Sequence, residues 1–346
     1  MVTHHDSETH LIWYDAEDIG VEGKGWDDTP RYYTRLPRKA LGVVREEVWL
    51  RGMTGCGLMV RFRTNATEIH VRWTLAHEVT PTPIETAVRQ AGLDLYGQDN
   101  CGTWYFVDIA RPLGRGTNTA MIAHDLDGAI REYMLYLPLQ NRVDQLLIGL
   151  SEESLFEPVQ PRIDHPLVFY GTSIVHGGAA GRPGLCYPSI LGRQLGVPTV
   201  NLGFPGQGKM DMELADLLGE LDASAFVIDC LPNMSTDLVE QRCEPFIERL
   251  REHQPTTPIV LVEEAMRGGQ MFKPRLMSGL RRKREAQRAG YQHLLAGGIT
   301  GLHYVKGDGL LGTDGEATLD GLHPGDLGFF RQANALQPTL QAILDD

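Results

Sequence analysis

Ser173 stands two residues after the glycine that closes an apolar run, in "VFYGTSIVHGG". A serine hydroxyl is a weak nucleophile until a base takes its proton, and an imidazole titrates in the range that suits this task. "DGLHPGDLGF", near the C-terminus, supplies His323. Asp320, on the same loop, can reach the other ring nitrogen, fix the tautomer and stabilise the imidazolium. Pro324 disfavours helical geometry at His323, so the ring should project from a loop. A tetrahedral oxyanion needs donors aimed at one point. The backbone N–H of Ser173, the backbone N–H of Gly206 in "NLGFPGQGK" and the side-chain amide of Asn233 in "DCLPNM" could converge there, glycine letting the chain approach closely.

Each residue has a plainer reading when taken alone. Ser173 would then be the polar end of a strand, Gly206 a loop glycine, Asn233 a turn residue and His323 a surface histidine. Their succession in one order, each at a strand end or before the last helix, favours a single site. Rivals exist for two roles. His176 lies close to Ser173 in sequence but has no neighbouring carboxylate, and Asp308 or Asp314 in "GDGLLGTDGE" could stand in for Asp320. Arg182 in "GRPG" is either a substrate-pocket residue or a structural loop arginine. Glu263 and Glu264 read as a helix start after a strand, and Cys230 as a buried core cysteine.

The elements that must position these residues have two different periods. Through about residue 160 the chain alternates as half-buried strands do. In "LMVRFRTNATEIHVRW", Met59 or Val60 with Phe62, then Ile69, Val71 and Trp73, read as a hairpin about "TNAT". "GLDLYGQDNCGTWYFVDIAR" repeats the arrangement with a turn at Gln98–Gly102, and "REYMLYLPLQNRVDQLLIGL" adds two strands. Such spacing predicts an antiparallel β-sandwich, jelly-roll-like, over residues 1–160. "SEESLFEPVQPRIDHP" reads as a linker.

Beyond it, residues 161–346 alternate apolar strands with amphipathic helices. The strands are "PLVFYG", "PTVNLGF", "AFVIDCLP", "PIVLVE" and "LHYVKG", apolar at consecutive positions as doubly covered strands must be. Leu214, Leu217, Leu218 and Leu221 make one helical stripe, and a weaker one at Tyr187, Ile190, Leu191 and Gln194 ends at Gly196. This is α/β, a parallel doubly wound sheet whose ligands sit at the carboxyl ends of the strands.

Composition narrows the partners. The 346 residues are 42% hydrophobic and 22% charged with a net charge of −13, an ordinary globular balance that disfavours nucleic acid. The basic run "RRKR" at 281–284 reads as a solvated helix face. No apolar run is long enough to span a bilayer, and the polar, acidic N-terminal stretch is unlike a signal peptide. The five scattered cysteines show no zinc or disulfide spacing, so a cytoplasmic location and no metal are expected.

"FYGTSI", "NLGFPG", "CLPNM" and "DGLHP" resemble, in order, the four blocks of the SGNH (GDSL-type) serine hydrolases. The family's nucleophile falls on Ser173, its oxyanion donors on Gly206 and Asn233, and its D-x-x-H pair on Asp320 and His323. Thr172 replaces the aspartate of the literal G-D-S, which is not a triad member. "GLDLY" at residues 92–96 is similar to the signature of a β-rich domain preceding one bacterial branch. The resemblance implies a flavodoxin-like catalytic domain, no cofactor, and an esterase, deacetylase or acyltransferase. The expected substrate is a small-molecule or saccharide ester, most plausibly acetyl-like, without nucleic acid or membrane as partner; a homo-oligomer stays open. A non-catalytic carbohydrate-binding protein on the same fold is the remaining alternative, against which the complete constellation argues.

Overall fold

In the computed structural model, which describes residues 3–6, 9–80 and 82–346, the chain sorts into two units. One comprises Met1–Arg35, Met53–Ile163 and Gly181–Gly184, the other Leu36–Gly52, Asp164–Ala180 and Leu185–Asp346.

Alternation of apolar and polar residues builds the first unit. Its strands are β1 (Thr3–Asp6), β2 (Leu11–Asp15), β3 (Met59–Thr64), β4 (Ile69–Leu75), β5 (Leu93–Gln98), β6 (Trp104–Ala110), β7 (Gly116–Ala123), β8 (Arg131–Tyr136), β9 (Val143–Ser151) and β10 (Phe156–Pro158). They form two antiparallel five-stranded sheets, ordered β1-β2-β9-β4-β7 and β10-β3-β8-β5-β6. Ile69, Val71, Trp73 and Leu75 of β4 share one core with Val60 and Phe62 of β3 and with Leu93 and Leu95 of β5. Each such side chain contributes roughly 1.5–3 kcal/mol by leaving water. Met59, left open by the sequence pattern, instead joins Tyr96, Met134 and Tyr136 in a second cluster.

The stretch read as a β3–β4 hairpin is not one. β3 pairs with β8 and β10, whereas β4 pairs with β7 and β9, so residues 65–68 carry the chain from one sheet to the other. Both strands still send alternate residues into a shared core, and alternation alone cannot tell a partner alongside from one across a sandwich. "GLDLYGQDNCGTWYFVDIAR" does fold as a hairpin, β5 pairing with β6 through a bulge at Leu95–Tyr96.

The second unit carries five parallel strands: β11 (Leu167–Gly171), β12 (Thr199–Gly203), β13 (Ala225–Asp229), β14 (Ile259–Val262) and β15 (Leu302–Val305). Every residue of the first four is buried, which explains their largely apolar sequences. The order β12-β11-β13-β14-β15 is the flavodoxin-like 2-1-3-4-5, whose strand order reverses at β11. Helix Tyr187–Leu195, ended by a left-handed Gly196, packs on helix Asp326–Asp345. Helix Thr236–His253 packs on Met212–Leu218 and on Pro274–Ala296. The register aligns Gly171, Gly203 and Asp229, so three strands end level. No helix of the described residues is long and apolar enough to cross a membrane.

Two readings of the sequence need correction here. Only Arg281 and Arg282 of the basic run are exposed. Arg284 is buried, donating to the Glu264 carbonyl from Nε and Nη2 at 2.9 and 2.7 Å, and Lys283 is ion-paired with Glu264. Glu263 and Glu264 do not start a helix either; both are buried in the segment after β14 and receive these cations. Long basic side chains on a helix can turn back onto the protein when buried carboxylates await them.

Asp229, at the end of β13, is buried and accepts hydrogen bonds from Tyr187 Oη (3.1 Å) and Gln332 Nε2 (3.2 Å). Burial pushes its carboxyl up to about 7, and the nearby Glu264 charge adds to this, against the pull of the Tyr187 and Gln332 hydrogen bonds. The folded state therefore holds this proton more tightly than the unfolded chain, whose aspartates titrate near 4. Its contribution to stability is fully present below about pH 4 and is lost as pH rises through 7. Asp229→Asn should remove that loss. Calorimetry should find the melting temperature of the variant, relative to wild type, higher at pH 8 than at pH 5; an offset that does not change with pH contradicts this.

Candidate active site

The serine turn begins where β11 stops. Thr172 is extended and its Oγ1 accepts from Ile174 N at 3.2 Å, setting Ser173 at the first position of a one-turn helix, Ser173–His176, closed by a left-handed Gly177. The turn sets the half-buried serine just beyond the strand end. Ser173 Oγ lies 2.9 Å from Nε2 of His323, 150 residues away in sequence. His176, the rival base, is buried within the same turn.

His323 is held by its own loop. Asp320 Oδ1 accepts from the backbone N–H groups of Leu322 (2.9 Å) and His323 (2.7 Å), while Oδ2 lies 2.8 Å from His323 Nδ1. One carboxylate thus folds the turn and orients the ring. Partial burial would raise the carboxyl of Asp320, but hydrogen bonds from the His323 ring and from the two backbone amides outweigh it and hold it down at about 2. It is ionised throughout the neutral range. Leu319 N donates to His323 O at 2.9 Å and Gly325 N to Ala317 O at 3.0 Å, tying the loop across itself. The rival carboxylates have other partners: Asp308 lies 2.7 Å from Arg284, and Asp314 makes two 2.7 Å contacts with Arg331.

Asn233 ends the single 3₁₀ turn Leu231–Asn233 that follows β13. Its Oδ1 accepts from Gly208 N at 3.3 Å, which leaves the amide N–H pair as the outward donors. Gly208 must be glycine: a Cβ there would stand 2.4 Å from the backbone of Gly171. Gly206 adopts φ +74°, a left-handed conformation that favours glycine, and a Cβ there would meet nothing beyond its chain neighbours within 4 Å. Gly178 was not singled out from sequence beyond its recurrence in "VHGG". A Cβ at that position would meet His323 Cδ2 at 2.8 Å and Ser173 O at 3.0 Å, so only glycine leaves room for the imidazole.

Arg182 has its own polar partners. It belongs to the first unit, where Nη1 lies 2.9 and 2.8 Å from the two carboxylate oxygens of Asp94 and 2.6 Å from Tyr96 Oη. Its guanidinium also stacks 4.0 Å from the Phe106 ring. Asp94 and Tyr96 are the acid and the aromatic of "GLDLY", so that signature marks the seat of a half-buried arginine. Cys230 is a core residue whose thiol burial pushes well up.

Residues 164–341 match the GDSL-like Lipase/Acylhydrolase family, and residues 11–156 match the GxDLY family, the N-terminus of SGNH-hydrolase-type esterases. The chain belongs to the GDSL-like lipase/acylhydrolase family. A Bacteroides ovatus protein assigned as a GDSL-like lipase is similar over 97% of this chain and 98% of its own, at 32% identity and a TM-score of 0.91. The salicylyl-acyltransferase of a tetracycline biosynthetic pathway shares the fold at 18% identity, covering 99% of this chain and 97% of its own with a TM-score of 0.73. A family two carbohydrate esterase from Clostridium thermocellum, in complex with cellohexaose, shares it at 13% identity, over 83% and 92% of the two chains, with a TM-score of 0.61. No curated protein matches the sequence significantly.

The geometry makes distinct forecasts for its parts. Asp320→Asn should lower kcat by about 10³- to 10⁴-fold at neutral pH because the ring loses its orientation and counter-charge. Asp308→Asn and Asp314→Asn, on the same substrate, should stay near wild type. Asn233→Ala should lower kcat by about 10²- to 10³-fold with little change in KM, as expected of a donor that matters most in the transition state. A large loss at Asp308 or Asp314 with a silent Asp320, or an Asn233 effect confined to KM, would reassign these residues.

Proposed function

We propose that the protein is a serine esterase that removes small, acetyl-like acyl groups from a carbohydrate or related polyol. The observation that carries the reading is the continuous line of hydrogen bonds from Ser173 Oγ through the His323 ring to Asp320. His323 Nε2 takes the hydroxyl proton as Oγ bonds to the substrate carbonyl carbon. The carbonyl oxygen becomes an oxyanion that the Asn233 amide and the backbone N–H groups of Ser173 and Gly206 stabilise. The intermediate collapses, the C–O bond to the alcohol breaks, and the alkoxide leaves with the proton held on His323. Water then repeats the sequence on the acyl-Ser173 ester, releasing the acid and restoring the serine. Asp320 stays ionised and keeps the ring in its working tautomer.

The carbohydrate part draws on the β-sandwich unit and on the carbohydrate esterase among the fold neighbours. Transfer to an alcohol acceptor instead of water is the second reading. It is favoured by the acyltransferase neighbour, whose fold matches over nearly the whole of both chains. The same triad serves both reactions, and only the nucleophile of the second step differs. The scattered free cysteines suit a reducing cytoplasm, and the acidic charge suits a small, uncharged ester over nucleic acid or membrane as partner.

A panel of esters from acetyl to long acyl chains, including acetylated sugars, tests the reading when run with and without alcohol acceptors. Short-chain and sugar acetates should be turned over fastest, Ser173→Ala should abolish turnover while remaining folded, and chelators should have no effect. Preference for long chains contradicts the acetyl assignment. Product partitioning to the added alcohol in preference to water would establish the transferase instead. A folded Ser173→Ala that keeps more than a few per cent of activity would remove the nucleophile.

A further inference from the structure

The carbonyl of Leu231, two residues before Asn233, accepts the Met234 N–H at 3.1 Å and also the ammonium of Lys283 at 3.1 Å. Lys283 projects from helix Pro274–Ala296, distant in sequence, and only 15% of its side chain is exposed. Its charge is balanced by Glu264, whose side chain is 5% exposed and which pairs through its other carboxylate oxygen with Arg267. The Glu264 carbonyl is fixed in turn by Arg284. The adjoining Glu263 binds Arg288 at 2.6 Å, Tyr304 Oη at 2.8 Å and Gly307 N at 2.8 Å.

Burying an ammonium beside a carboxylate is a poor way to gain stability, because desolvation of both ions consumes most of their attraction. Apolar side chains would fill the same volume as well. What an ammonium supplies that a hydrocarbon cannot is several donors radiating from one point. Here one serves Glu264 and another reaches the turn that ends in Asn233. The Asn233 side chain is thereby fixed from two directions: Gly208 N–H grips its head, and Lys283 grips the peptide group on which its backbone turns. Oxyanion donors tolerate little displacement, and misplacing a reacting geometry by about 1 Å can cost about 10²-fold in rate.

We propose that Lys283, held by Glu264, is a positioning residue for the oxyanion amide of Asn233, acting through the Leu231 carbonyl; this rests on the reading of Asn233 as an oxyanion donor. The test is a double-mutant cycle in the full-length protein, on one short-chain ester. Lys283→Met should lower kcat by about 10-fold or more with KM within about twofold, since only transition-state alignment is lost. In the Asn233→Ala background the same substitution should change kcat by less than about twofold, because nothing remains to be positioned.

A merely structural lysine would cost the same factor in both backgrounds, and that result overturns the proposal. So does an unchanged kcat in folded Lys283→Met. If Asn233→Ala alone leaves kcat intact, the oxyanion reading fails first and the single variant shows it. Arg288→Ala removes the outer end of the same ion network without touching the turn and should keep wild-type kcat; a loss matching that of Lys283→Met would make the effect one of general packing. Should Lys283→Met not fold, Lys283→Gln keeps a polar head too short to join Glu264 to Leu231, and the same cycle applies to it.

Discussion

The hydrogen bond between Ser173 Oγ and His323 Nε2 joins the first strand end of the catalytic unit to its last loop. The parallel sheet answers that requirement by ending β11, β12 and β13 at one level and returning the chain to the same edge after β15. Because β11 lies where the strand order reverses, the crossovers on either side diverge and leave space at its carboxyl end. The His323 loop is then stiffened locally by the two oxygens of Asp320 and by backbone bonds across its base. A hydrogen bond spanning 150 residues is affordable only because both of its ends are set by short-range contacts.

The oxyanion side follows a different logic. Its proposed donors lie on turns, and Gly208 is pressed against Gly171 while donating to Asn233. Behind them stands a group of ions, buried Glu263, Glu264, Arg267 and Arg284 with the partly buried Lys283, that trades the ease of an apolar core for directional contacts. Asp229 lies buried at the β13 end and feels the Glu264 charge, so the interior beneath the site is polar and pH-sensitive, unlike the hydrocarbon middle of the sheet.

How much of this was legible in the sequence depended on range. The five parallel strands were legible because burial on both faces demands consecutive apolar residues, and Asp320 with His323 because three positions on one loop suffice for contact. The β3–β4 connection was misread because both strands alternate identically whether they pair or face each other. Glu263 and Glu264 were read as a helix start and "RRKR" as a solvated face because Lys283 lies 19 residues from Glu264 and Arg288 25 from Glu263, on elements whose inward faces no single-strand or single-helix pattern reveals. Arg182 was ambiguous for the same reason: its carboxylate is 88 residues upstream, inside a signature that gave no hint of a cation.

The central claim is that Ser173 is a nucleophile activated by His323. Labelling the native protein with an alkyl fluorophosphonate, followed by peptide mass spectrometry, tests it most directly, since such reagents react at an activated serine and need no knowledge of the natural ester. The account predicts one stoichiometric adduct on Ser173 and a greatly slowed reaction in His323→Ala. Labelling at another residue, or at Ser173 with the same rate when His323 is removed, would contradict it.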